Sequence, residues 1–123
     1  MKVAISSTGK NLESEVDERF GRCPYFLIVE IENKEIKNVK SIENTAKEQT
    51  GGAGIVAGEI VAKQKVDAVI TVNLGPRAFS VFEQFGIKIY QGQGKINDVV
   101  QEFLEGKLKE LTNANGPQHM GLE

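Results

Sequence analysis

The chain has one cysteine, Cys23, and one histidine, His119, in 123 residues. A single thiol cannot close an intramolecular disulfide, and without a Cys pair or a His cluster no zinc site can be drawn. No apolar run approaches the roughly 20 residues that a membrane span requires. With a lone thiol and no signal-like start, a reducing cytoplasm is the expected compartment, with no membrane partner. The formal net charge is only −2, which argues against nucleic acid as a partner. Val29 stands where the arginine of a C-x5-R phosphatase loop would fall, and no histidine lies near Cys23 to act as its general base. No Gly-Lys-Ser/Thr follows the glycine-rich stretch at 50–54, so it is not a Walker loop, and its glycines also miss the G-x-G-x-x-G spacing.

What is present reads as one globular domain: 40% of residues are hydrophobic and 26% charged, too apolar for a disordered chain. Lys2–Ser6, Tyr25–Ile31, Glu35–Ile42, Ala68–Val72 and Ile87–Tyr90 are β-rich runs. "ENKE" makes a hairpin turn between the second and third, and the more polar third run is expected at a sheet edge. Ala53, Val56, Ala57, Ile60 and Val61 follow the spacing of one helix face. Pro76 opens a second helix with Ala78, Phe79, Phe82 and Phe85 on its apolar side, and Gly86 suits its stop. Ile96, Val99, Val100, Phe103 and Leu104 line a third.

The order β-β-β-α-β-α-β-α predicts an α/β, ribonuclease H-like three-layer domain: a five-stranded mixed sheet with helices on its faces. Ala4, Ile28 and Val69 are expected in its middle. The domain spans 1–111, and "TNANGPQHMGLE" from Thr112 to residue 123 reads as a flexible C-terminal tail. Nuclease chemistry does not follow from such a fold. "KVAISS" and "AVITV" carry no carboxylate to hold a metal against a phosphate.

Three segments carry candidate chemistry. In "RFGRCPYF", Arg19 and Arg22 flank the approach to Cys23, and nearby cations favour a thiolate. The plainer alternative is that Arg19 pairs with Asp17 or Glu18 and Cys23 simply packs. "TGGAG", with Gly51, Gly52 and Gly54, opens the first helix and would present backbone N–H groups to an anion. "NLGPRAF", with Gly75, Pro76 and Arg77, does the same at the second helix and adds a cation. The plain reading of each is a glycine-rich turn with no ligand. Together they suit a compact anion at one end of the sheet. His119, alone on a polar tail, reads as solvated more readily than metal-bound.

In this order the segments resemble the nitrogenase iron–molybdenum cofactor biosynthesis family of small accessory and carrier proteins. The matching stretches are "SEVDERFGRCPYFLIVE", "ENTAKEQTGGAGIVAGEIV" and "VITVNLGPRAFSVFEQFGIKIYQG", spread from Lys2 to about Leu111. The resemblance implies a non-enzymatic carrier that binds, stores or delivers an anionic metal–sulfur cluster, iron–molybdenum cofactor-like or a precursor. Arg19, Phe20, Gly21, Arg22 and Cys23 match the family's N-terminal motif. Gly51, Gly52 and Gly54 match its glycine turn, and Gly75 and Pro76 its second loop. Several relatives carry a His- or Cys-rich tail, from which this chain departs. Cys23 and His119 are thus the metal-ligand candidates, with cluster-donor or cluster-acceptor proteins as partners and a monomer or weak homodimer as the expected state. Iron–sulfur clusters usually take about four thiolates. One Cys per chain leaves retention to arginines, helix amides and at most one thiolate bond. Two other functions fit the residues: a Cys23-dependent enzyme of sulfur or acyl transfer, and a protein-interaction or regulatory module without a prosthetic group.

Overall fold

The computed structural model describes residues 1–115. Six strands form one mixed sheet: β1 (Lys2–Ser7), β2 (Tyr25–Glu32), β3 (Glu35–Glu43), β4 (Ala68–Thr71), β5 (Lys88–Gln91) and β6 (Lys109–Glu110). Their spatial order is β3-β2-β1-β4-β5-β6. Three helices complete the fold: α1 (Ala53–Ala62), α2 (Pro76–Gln84) and α3 (Ile96–Leu104). The expected five strands are corrected to six. β6 is two exposed residues paired antiparallel to β5, too short to show an alternation.

Chain chemistry accounts for the order. Asn33 and Lys34 both adopt positive φ, 53° and 61°, which is what a two-residue type I′ turn between β2 and β3 demands. β1 then pairs antiparallel with β2 and parallel with β4, and β4 parallel with β5. Ala4 sits opposite Ile28 on one side and Val69 on the other, all three buried at the centre.

Alternation divides the strands between two cores. Ala4, Phe26, Ile28, Val69 and Ile89 face Ala57 and Val61 of α1 and Ala78 and Phe82 of α2. Val3, Ile5, Leu27, Val29 and Ile70 face Ile96, Val99 and Val100 of α3. Both α1 and α2 return the chain to the start of a parallel strand on the same face, so the two helices run parallel to each other. Their contacts agree. Ile55 near the start of α1 shares a groove with Pro76 and Arg77, a Cβ on Gly58 would lie 3.3 Å from Val81, and Lys63 and Phe85 line one small pocket at the far end. Two positive helix ends therefore lie side by side at the carboxyl end of the parallel strands. Among the described residues no helix is long and apolar enough to cross a membrane.

Candidate functional site

Asp17 anchors the entry to the first motif. Its N–H donates to the Ser6 carbonyl at 2.9 Å, its own carbonyl accepts from Ser6 Oγ at 2.9 Å, and that hydroxyl lies 2.8 Å from Thr71 Oγ1. The segment is thereby pinned to the ends of β1 and β4. The buried Asp17 carboxylate accepts the Arg19 N–H at 2.8 Å, an Asx turn that swings the chain around, and lies 3.6 Å from Arg19 Nε. Arg19 then bridges in parallel to Asn73, at the start of the β4–α2 loop, while its side chain stays 62% exposed.

A 3₁₀ turn at Phe20–Arg22 folds the motif inward. The Phe20 ring packs 5.0 Å from Phe26 and 5.4 Å from Phe82, tying the turn to β2 and α2. Gly21 backs directly onto α1. A Cβ at this position would stand 3.0 Å from the Gly54 nitrogen and 3.2 Å from the Ala53 carbonyl carbon. Only glycine lets the RFGRC turn and the glycine turn approach this closely. Arg22 is half-buried and donates from Nη1 to the Lys47 carbonyl, joining the motif to a second 3₁₀ turn, Thr45–Glu48.

Cys23 is where the expectation fails. The thiol is fully buried, donating its S–H to the Phe20 carbonyl at 3.3 Å, with Asn44 Nδ2 3.8 Å from the sulfur. Burial pushes its pKa from an ordinary 9.0 up to about 12, and the Asp17 charge acts in the same direction against weaker hydrogen-bond effects from Ser7 and Asn44. The accessible, acidified thiolate is therefore corrected to a core thiol that packs as a small apolar group. Adjacency in sequence did not become adjacency of charge. Arg19 pairs with Asp17 and Arg22 with the Lys47 carbonyl, so the plainer alternative describes this cysteine.

The two glycine-bearing turns do converge. Gly52, at φ 72°, precedes α1, whose backbone ladder starts with Val56 N–H to Gly52 O at 3.1 Å; the amides of Ala53, Gly54 and Ile55 precede it. The α2 ladder starts with Phe79 N–H to Gly75 O at 3.1 Å, after Pro76, which has no N–H to leave unpaired. No backbone carbonyl among the described residues accepts from Arg77 or Ala78 N–H. Beside these ends lies an open groove of about 510 Å³ lined by Ile55, Pro76, Arg77, Ser80, Val81 and Gln84. Arg77 is exposed on it, and Gly51 is exposed nearby in sequence on the loop into α1. A separate cleft of about 370 Å³ on the Arg19 side carries Glu15, Asp17 and Glu18, an acidic lining that repels anions. The groove between the helices has one cation, Arg77, and no carboxylate in its lining.

Asn44 is a site-shaping residue absent from the sequence expectations. Fully buried, it accepts from Ala46 N–H at 3.1 Å and donates to the carbonyls of Gly21 at 3.2 Å and Cys23 at 2.8 Å. Its signal was the Asn at the head of "NTAKE", a capping residue in what reads as a polar loop. His119 lies outside the described residues, as does most of the expected tail; Asn115 is the last residue described. Among the described residues no group of three or more His, Cys, Asp or Glu side chains is placed to hold a metal ion.

A family model described as dinitrogenase iron-molybdenum cofactor matches residues 1–106. The chain belongs to that family. An uncharacterised protein of Methanocaldococcus jannaschii is 43% identical over 112 residues, 90% of this chain and 92% of the relative. The apo form of the orange protein from Desulfovibrio gigas superposes with a TM-score of 0.85 at 30% identity, over 94% of this chain and 96% of the other. A Thermotoga protein classed as NifB-like gives 0.78 at 34% identity, over 94% and 97%. The family likeness thus extends over both glycine turns and the arginine motif.

Proposed function

We propose that this family member binds, stores or delivers an anionic metal–sulfur cluster, iron–molybdenum cofactor-like or a precursor, as a carrier rather than a catalyst. The observation that carries the reading is the side-by-side start of two parallel helices, with an open groove lined by Ile55, Pro76 and the exposed Arg77 beside them. Aligned amide dipoles and a guanidinium recognise delocalised negative charge without requiring a fixed coordination geometry. The family description names an iron–molybdenum cofactor, and a relative named for its colour has been solved in an apo form, which presupposes a group that can be removed.

The donor set decides how such a cargo would be held. A thiolate-ligated cluster needs sulfur at the surface, and the chain's sole thiol is buried with its proton retained. Gly51, Gly52 and Gly54 would supply the first turn and Gly75, Pro76 and Arg77 the second, while Arg19, paired with Asp17 outside this groove, would hold the β4–α2 loop through Asn73. Phe20, Gly21, Arg22 and Cys23 would serve by packing that turn against α1 and α2. Attachment through amides and guanidinium is exchangeable, which suits transfer between a cluster donor and an acceptor protein. Cys23 is also poorly placed as a nucleophile for sulfur or acyl transfer, because a thiol held near pKa 12 is protonated at neutral pH. The strand order, with an antiparallel β2 beside parallel β1, β4 and β5, supports reading the fold as ribonuclease H-like with β6 appended.

Anaerobic titration of the protein with tetrathiomolybdate, followed by visible absorption and molybdenum analysis after gel filtration, tests this function. Stoichiometric retention that weakens with salt is expected. A protein that stays colourless and molybdenum-free, and equally free of iron after reconstitution with iron and sulfide, would point to an interaction module instead.

A further inference from the structure

Beyond the two motifs, one contact made by the C-terminal segment bears on the loop that carries Pro76 and Arg77. Asn115 Oδ1 accepts the Leu74 N–H at 2.8 Å, its Nδ2 donates to the Val72 carbonyl at 3.1 Å, and its own N–H donates to the Leu74 carbonyl at 3.2 Å. Three bonds from one residue thus occupy the polar backbone of the β4–α2 loop on both sides of Asn73, where β4 has ended and α2 has not begun. An amide side chain supplies a donor and an acceptor at the spacing of a strand neighbour, so Asn115 acts as a one-residue strand added to the loop. The opposite side of the same loop is held by Arg19 bridging to Asn73 and by Thr71 Oγ1 facing the Asn73 carbonyl at 3.5 Å. Leu74 itself is fully buried, so a fixed backbone here sets where Gly75 and Pro76 start the helix.

We propose that Asn115 is a positioning residue: a latch by which the C-terminal segment fixes the β4–α2 loop and thereby the direction of the α2 amides and Arg77 toward an anion. The consequence for binding rests on the carrier function proposed above; the latch itself does not. In Asn115→Ala the side-chain bonds to Leu74 N–H and the Val72 carbonyl are removed, whereas Asn115→Asp keeps the acceptor for Leu74 but replaces the donor to Val72 with a charged acceptor.

Two measurements on the full chain separate the outcomes. By amide hydrogen exchange, Leu74 should exchange about tenfold faster in Asn115→Ala, with Ile70 and Val29 in the sheet unchanged and Asn115→Asp intermediate. In anaerobic titration, Asn115→Ala should bind tetrathiomolybdate severalfold more weakly than the parent at a temperature where calorimetry shows both fully folded. Unchanged Leu74 exchange overturns the latch. Faster exchange with parental affinity for tetrathiomolybdate overturns the positioning role. Failure of the parent to bind tetrathiomolybdate counts against the carrier function alone, and Leu74 exchange still decides the latch.

Discussion

Replacing Gly21 by alanine tests the joint between the arginine motif and the glycine turn. The added Cβ would lie 3.0 Å from the Gly54 nitrogen, 3.2 Å from the Ala53 carbonyl carbon and 3.3 Å from the Gly54 Cα. All three are backbone atoms of the first turn of α1, so no flexible side chain can swing aside. Overpacking of this kind costs about 1–3 kcal/mol, while the smaller unfolded-state entropy of alanine returns about 0.4–1 kcal/mol. A net loss of about 1–2 kcal/mol follows, or about 3–10 °C in thermal midpoint for a domain of this size. Two nearby glycines serve as controls. Gly51→Ala meets no atom within 4 Å and should be neutral or slightly stabilising. Gly52→Ala also has space but must hold φ 72°, and should lose about 1 kcal/mol through backbone strain alone. Calorimetry or urea unfolding of the three variants reads the order directly. If Gly21→Ala proves as stable as Gly51→Ala, the two motifs do not abut as described.

Further outcomes concern the buried groups. Cys23 should resist iodoacetamide at about pH 8 in the folded protein and react at once in urea, since the nucleophile is the thiolate. Because its folded pKa is raised to about 12 from 9.0, the linked stability is fully present below pH 9 and is lost as pH rises toward 12. Urea midpoints should therefore fall more steeply above about pH 9 in the parent than in Cys23→Ser, whose hydroxyl does not titrate there. Asn44→Ala strands the buried carbonyls of Gly21 and Cys23 and the Ala46 N–H, and should cost about 2–4 kcal/mol by chemical denaturation.

Much of this architecture was written in period and punctuation. Val3 and Ile5 against Ala4, and Leu27 and Val29 against Ile28, alternate because the sheet is covered on both faces. Pro76 marked the start of α2 because its missing N–H costs nothing there. Lys109–Glu110 gave no such signal: two charged, exposed residues join the sheet through backbone bonds alone. The candidate site was legible as turns, since the glycines and Arg77 lie at helix N-termini as their spacing implied. Cys23 was not, because a 3₁₀ turn of three residues decides which side faces the core, and the aromatic contacts of Phe20 with Phe26 and Phe82 set that turn. Asn44 and Asn115 were hidden for a related reason. Each acts on backbone far away in sequence, and an asparagine in a polar stretch carries no mark of that.

The central claim is that an anionic cluster is held by helix amides and Arg77 and not by the cysteine. Parallel anaerobic titrations of the parent, Cys23→Ser and Arg77→Ala with tetrathiomolybdate, at low and high salt, test it most directly. Binding by Cys23→Ser should match the parent, while Arg77→Ala should bind severalfold more weakly and with a shallower salt dependence. Loss of binding in Cys23→Ser, with Arg77→Ala binding as the parent does, would contradict it.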